Sequence, residues 1–350
     1  MDREGIRAFM ERFMGMVTGG ATLGLVGVAD RVGLFACLAG AGPQTLEQIA
    51  DRSGLQPRYL QELCSGLAAA EILHYEAATR SFELCDEHAA CLADESSPYF
   101  LAGWSQMIPS ILNAVPGVAR ACREGGGVAF DAFGDDMIEG IDRSNSPGMR
   151  ILLTRKWLPA MPEVVERLRL GIRVADVGCG SGAAVLTMAR AYPKSRIHGF
   201  DISARSIERA RAAAEAEGLA NASFEPRGAE ALPADPGFDL ITTFDVIHDI
   251  AQPEHALKAI RRALADGGTY LMVEPDAGHD LEENLHPGGA LLYAMSTLHC
   301  MTQSLAQGGV GLGAAWGPRR AQALCREAGF TRFERLDVDN PFNAFYEVRA

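Results

Sequence analysis

The apolar positions of this chain change their period along its length. Residues 44–55 (QTLEQIADRSGL) and 56–73 (QPRYLQELCSGLAAAEIL) place them three and four apart with Gly54 between, which predicts a helix-turn-helix. Residues 74–85 (HYEAATRSFELC) predict a two-stranded wing. Residues 98–170 read as helices punctuated by Pro109, Pro116, Pro147, Pro159 and Pro162. From residue 171 short β-branched runs (RVADVG, RIHGFDI, ASFEPRG, FDLITTFDVI, TYLMVEP) alternate with helical ones (GAAVLTMARAY, ARSIERARAAAEAEG, EHALKAIRRALADGG), the signature of a parallel α/β sheet. The alternation breaks over 276–316, and a helix at 322–328 and two strands, TRFERLDV and FNAFYEVR, then predict a closing hairpin. The expected domains are a winged-helix-like segment at 1–95, a helical linker and substrate wall at 96–165, and an α/β domain at 166–350 with a lid insertion at 276–316.

Composition narrows the partners. Apolar residues make up 48% of the chain, enough for a sizeable core in a soluble globular protein. A winged helix invites a DNA-binding reading, but residues 1–100 carry seven Arg and no Lys against fourteen Asp and Glu, and the helix in the recognition position offers only Arg58. With a net charge of −13 there is no electrostatic footprint for phosphates, so no nucleic acid is expected, and dimerisation is the better role for the wing. The charge-free run Phe13–Ala29 is short for a bilayer span and reads as helices buried against other protein, with no membrane partner. Eight cysteines without a paired spacing suit free thiols in a reducing cytoplasm.

The sharpest chemical signal is VADVGCGSGAAVL at 174–186. Asp176, Gly178, Gly180 and Gly182 fall where a strand becomes a helix, and glycines there let a ligand approach the backbone. Asp201 ends the next strand, nineteen residues after Gly182, where a carboxylate can accept the ribose hydroxyls of an adenosyl group. A plain strand-to-helix turn and a nicotinamide or flavin dehydrogenase are the competing readings, and the glycine spacing departs from G-x-G-x-x-G.

Together with LADGG at 264–268 and the closing hairpin, these residues resemble the class I S-adenosylmethionine-dependent methyltransferases over about residues 150–350. The resemblance implies a Rossmann-like seven-stranded sheet with an antiparallel last strand, S-adenosyl-L-methionine as cofactor, and Ile202, Ala229, Glu230 and Phe244 beside it. The N-terminal half resembles the winged-helix dimerisation domain of small-molecule O-methyltransferases, which implies a homodimer and a small organic methyl acceptor.

TTFDVIHDIAQPEH, at 242–255, holds His248 just past a strand. VIHD resembles the histidine-aspartate segment of the plant-type O-methyltransferases. Carried over, that makes His248 the general base and Glu274 its orienting carboxylate, with Asp249 adding charge. A phenol near pKa 10 needs such a base; a thioether or amine acceptor does not, so S-, N- or C-methylation stays open. The residues themselves leave three roles for His248: base, positioning group, or polar cap of the strand end.

In the insertion, HDLEENLH brings His279 and His286 among carboxylates, but a charged lid loop explains that spacing better than a metal, and none is expected. The insertion offers His279, and the run ALLYAMSTLHCMTQSL Tyr293 and His299, to the acceptor, and Trp157 before the glycine motif either closes the pocket or fills the domain interface.

Overall fold

Thr45 and Gln48 close a capping box at the start of the first predicted helix of the helix-turn-helix, Leu46–Ser53, each side chain bonding the other's backbone N–H. Gly54 ends it at φ +68°, and Pro57 begins the helix Pro57–Ala69 at a position where its missing N–H costs nothing. The computed structural model describes residues 1–235 and 237–350. They divide into two compact units, Met1–Ser110 with Asp135–Pro147, and Ile111–Gly134 with Gly148–Ala350.

In the first unit the wing is β2 (His74–Glu76) and β3 (Ser81–Glu83), joined by the two-residue β1 (Gln44–Thr45) on the other side of β3. β1 is too short to leave a periodic trace in the sequence. Leu34, Phe35, Ile49, Leu60, Cys64, Leu67 and Phe82 form the core. Phe13–Ala29 corrects its expectation of several buried helices: it belongs to one helix, Arg3–Arg31, exposed within the chain as far as Ala21. Phe9, Phe13 and Met16 on it are 58%, 53% and 72% exposed. By length and composition alone this helix is long and apolar enough to cross a membrane, a test that a core helix of a soluble protein also passes.

The segment 96–165 is shared between the units. Residues 135–147 join the first because Arg143 donates to both oxygens of Asp30, at 2.6 and 2.9 Å. Residues 111–134 and 148–165 join the second.

The second unit holds β4 (Arg173–Val177), β5 (Arg196–Asp201), β6 (Ala222–Pro226), β7 (Phe238–Phe244), β8 (Leu264–Pro275), β9 (Arg332–Arg335) and β10 (Asn343–Arg349). They form one sheet in the order β6-β5-β4-β7-β8-β10-β9, parallel throughout except for β10, which is antiparallel to both its neighbours. Val174, Leu240 and Leu271 face one buried layer, Ala175, Ile241 and Tyr270 the other, so both faces are covered. The strand order reverses direction at β4, and the crevice outside the carboxyl ends of β4, β5 and β7 is where such sheets bind ligands. The expected insertion at 276–316 contains Pro287–Met295 and Met301–Ala306, bridged by a π turn at Ser296–Cys300.

Candidate active site

The glycine turn is built by three different necessities. Gly178 (φ +72°) donates to Phe200 O at 2.7 Å, and a Cβ there would stand 2.5 Å from Val246 Cγ2. Gly182 (φ +86°) caps the helix Ala183–Ala191, and a Cβ there would meet Phe224 at 2.8 Å. Gly180 (φ +52°) faces open space, with nothing within 4 Å, so its bare backbone is free for a ligand.

Two carboxylates fix this turn. Asp176 is buried and accepts from Thr242 Oγ1 at 2.6 Å; burial, with Asp201 adding repulsion, pushes it up to about 7. Asp201 accepts from Gly180 N–H at 2.9 Å on one oxygen and from Ser203 N–H at 2.8 Å on the other. Each oxygen keeps lone-pair capacity for a ligand hydroxyl. Burial raises its pKa, and the two backbone bonds oppose that. Next to it Ile202 is 78% exposed, an apolar side chain beside the crevice. Ala229 is buried at the start of a short turn after β6, and Glu230 is exposed. Phe244 ends β7 with its ring 6.1 Å from that of Trp157.

His248 follows on the turn Ile247–Asp249 and is 4% exposed. Its Nδ1 lies 2.7 Å from Glu274 Oε2 at the end of β8. Glu274, equally buried, also accepts the backbone N–H groups of Ile247 (2.9 Å) and His248 (3.3 Å), so the carboxylate holds both ring and main chain. With Nδ1 committed, Nε2 is the nitrogen available for chemistry. It lies 3.3 Å from Asp249 Oδ1, but out of line for a hydrogen bond, and that buried oxygen has no hydrogen bond of good geometry among the described residues. Burial pushes the imidazole down, yet Asp249 and Glu274 outweigh it and hold its pKa well above the ordinary value.

Asp245 was not among the sequence candidates. It sits at φ +56°, a strained backbone for a residue with a side chain, held by its N–H to Val273 O (2.9 Å) and by Asn343 Nδ2 donating to its carboxylate at 2.6 Å. Burial pushes it up to about 7. An acidic residue directly after a strand was the available signal, but its left-handed backbone leaves no trace in the sequence.

Trp157 and His299 both lie in π turns, Leu153–Trp157 and Ser296–Cys300, a distortion frequent at functional sites. Trp157 Nε1 and His299 Nε2 are each buried with no hydrogen-bond partner. The His299 ring meets Phe133 edge-on at 5.0 Å and Phe130 at 5.9 Å, while its Nδ1 is 3.6 Å from Cys300 Sγ. His299 is near enough to His248 and Asp249 to feel their charges, and burial keeps its pKa low. Phe130, Phe133 and Cys300 are additions that spacing alone did not mark.

His279 and Tyr293 stand apart, on the exposed side of the insertion. His279 donates its backbone N–H to Glu283 at 2.7 Å, and Tyr293 is 38% exposed. His286 is spent as a helix cap, its Nδ1 accepting from Gly289 N–H at 3.2 Å.

Residues 168–322 match the family described as "Methyltransferase domain", and residues 20–94 the "Rv2258c-like winged HTH domain". Indolepyruvate C-methyltransferase of Streptomyces griseus is 28% identical over 152 residues, 41% of this chain and 46% of that protein. A ubiquinone biosynthesis O-methyltransferase of Roseobacter denitrificans is 36% identical over 99 residues, 28% of this chain and 39% of that one. The chain thus spans less than half the length of the curated relatives it matches. Human N-acetylserotonin methyltransferase, solved with S-adenosylmethionine, has the same fold over 100% of this chain and 99% of its own, with a TM-score of 0.73 at 19% identity. Residues 168–322 thus carry a methyltransferase domain, with a winged helix-turn-helix domain ahead of it, and the sheet has the fold of the class I S-adenosylmethionine-dependent methyltransferases. The closing β9–β10 hairpin and the glycine spacing fit this fold and depart from the dehydrogenase pattern.

Proposed function

We propose that the protein methylates an oxygen of a small organic acceptor, with His248 as general base. The observation that carries this is the His248–Glu274 pair, buried at the carboxyl end of β7, with Nδ1 anchored and Nε2 left for a proton. Asp176, Gly178, Gly180, Gly182, Asp201, Ile202, Ala229, Glu230 and Phe244 hold the cofactor: Gly180 gives backbone access, Asp201 takes ribose hydroxyls, and Ile202 packs on the adenine. Bound S-adenosylmethionine supplies an electrophilic methyl on a positively charged sulfur.

His248 Nε2 accepts the acceptor's hydroxyl proton as the oxygen becomes nucleophilic, and Glu274 stabilises the imidazolium through Nδ1. Asp249 adds negative charge at the Nε2 side. Because the carboxylates raise the His248 pKa, the neutral base gains population, and the rate gains speed, as pH increases. Trp157 and His299, with their unpartnered nitrogens, contact the acceptor, whereas His279 and Tyr293, exposed on the insertion, take no part in this reading. A second reading, deprotonation of an acidic carbon before C-methylation, uses the same histidine and is favoured by the similarity to indolepyruvate C-methyltransferase.

The working unit of this reading is a cytoplasmic homodimer. A second copy covers the apolar side chains of Arg3–Arg31 that one chain leaves exposed, and the acidic wing takes no part in DNA binding. Calorimetry with S-adenosylmethionine, followed by mass spectrometry of a panel of phenols, carboxylates, thiols and keto acids, tests it. Methylated hydroxyls support the first reading. Products methylated at carbon or sulfur only would replace it, and absence of cofactor binding would end both.

A further inference from the structure

Cys300 is a neighbour of His248 that methyl transfer does not use. It ends the π turn Ser296–Cys300, is 5% exposed, and offers its Sγ beside His248 and Asp249: one ligand atom from each of the three lies within 4.8 Å of the others. Nitrogen, carboxylate oxygen and thiol sulfur together are a donor set for zinc, whereas magnesium and calcium take oxygen alone.

Several features suit a cation between these three groups. The 3.3 Å between His248 Nε2 and Asp249 Oδ1 is out of line for a hydrogen bond. It matches the edge of a tetrahedron with metal bonds of about 2.0–2.1 Å. Asp249 Oδ1 is buried with no hydrogen bond of good geometry among the described residues, and the Cys300 thiol is close enough to interact with both Asp249 and His248. Glu274 on the far nitrogen is the carboxylate–histidine arrangement that orients metal-binding imidazoles. Asp249 and Glu274 set two carboxyl groups against one imidazole, 3.3 and 2.7 Å from its two nitrogens, a field that favours a dication. With all three atoms within 4.8 Å of one another, the sulfur has at most about 1 Å to close to reach a zinc–sulfur bond of about 2.3 Å, a movement within the reach of a side-chain rotation. The Asp249 side chain, 27% exposed, marks the way in.

We infer that His248 Nε2, Asp249 Oδ1 and Cys300 Sγ form a binding site for a thiophilic divalent cation, zinc above all, whose occupation blocks methyl transfer. As the metal–sulfur bond forms, the Cys300 S–H bond breaks and its proton leaves to solvent; any proton on Nε2 leaves the same way. The fourth position is open to water. The metal then occupies the one histidine nitrogen available to accept a proton. Binding stands independently of the methyl-transfer reading; the inhibitory consequence rests on His248 being the base.

The test titrates zinc into the full-length protein by calorimetry and cobalt(II) into a parallel sample followed by absorption. One zinc per chain is expected, and a thiolate-to-cobalt charge-transfer band. Cys300→Ser should abolish that band and weaken zinc at least about tenfold, Asp249→Asn should weaken zinc as well, and substitution of the exposed Cys122 by Ser should do neither. Retained S-adenosylmethionine binding by Cys300→Ser establishes that the variant is folded; if it does not fold, the wild-type charge-transfer band and Asp249→Asn decide. Absence of the band, zinc binding no stronger than millimolar, or zinc affinity unchanged in Asp249→Asn or folded Cys300→Ser overturns the site. Stoichiometric binding with undiminished methyl transfer overturns the inhibition alone.

Discussion

Glu274 reaches from the end of β8 to His248 just past the end of β7, with Oε2 2.7 Å from Nδ1, and its two oxygens also gather the N–H groups of Ile247 and His248. A single buried carboxylate therefore sets the position of the turn, the direction of the ring and the charge on it. His248→Ala is expected to cut transfer to a hydroxyl acceptor at least about a hundredfold, the range of a lost general base. Cofactor affinity should barely change, since Nε2 is not among the groups that hold it. Near-normal turnover in steady-state assays would remove the base assignment.

Glu274→Gln removes one of the two charges that hold the His248 pKa up. A base must be neutral, so the wild-type rate falls on the acid side of that raised pKa. In the variant the acid limb of the kcat profile should move to lower pH, even as the maximum rate drops because the ring is held less firmly. A limb that stayed in place would mean another group titrates.

Gly180 and Gly178 share a positive φ but not the same surroundings. Gly180→Ala meets only backbone strain of roughly 1–2 kcal/mol and should fold with its affinity for S-adenosylmethionine reduced at least about tenfold. Gly178→Ala adds a 2.5 Å clash with Val246 and should show the larger loss in Tm. Calorimetry and thermal melts on both variants separate ligand approach from packing.

Asp245 titrates near 7 when folded, well above an exposed aspartate. A raised carboxylate binds its proton more tightly in the folded chain. Its contribution is present below the unfolded value near 4 and is lost as pH rises through about 7. Compared with Asp245→Asn, the wild type should lose unfolding free energy across that interval. Parallel stability curves from pH 4 to 8 would contradict the assignment.

Phe9, Phe13 and Met16 are exposed on the helix Arg3–Arg31. Replacing Phe9 and Phe13 together by Glu should convert the expected dimer to monomer in sedimentation experiments while the methyltransferase domain still binds its cofactor. A wild type that sediments as a monomer would refute the dimer directly.

The sequence determined what depends on local chemistry and period. Alternating apolar runs required a doubly covered parallel sheet, the spaced glycines marked the turn after β4, and Asp201 marked the end of β5, where it accepts from Gly180 N–H, because these features are encoded within a few residues of one another. His248 and Glu274 were also legible, each at the end of its own strand, though 26 residues separate them. Tertiary structure alone decided the rest. The left-handed backbone of Asp245 depends on Val273 and Asn343, β1 exists only because β3 lies beside it, and His279 and Tyr293 stay at the surface while His299 turns inward. Cys300 comes to His248 through a π turn, an irregular backbone whose extra residue shifts every side chain after it. No hydrophobic period records that shift, so no reading of the chain by itself could have brought the two together.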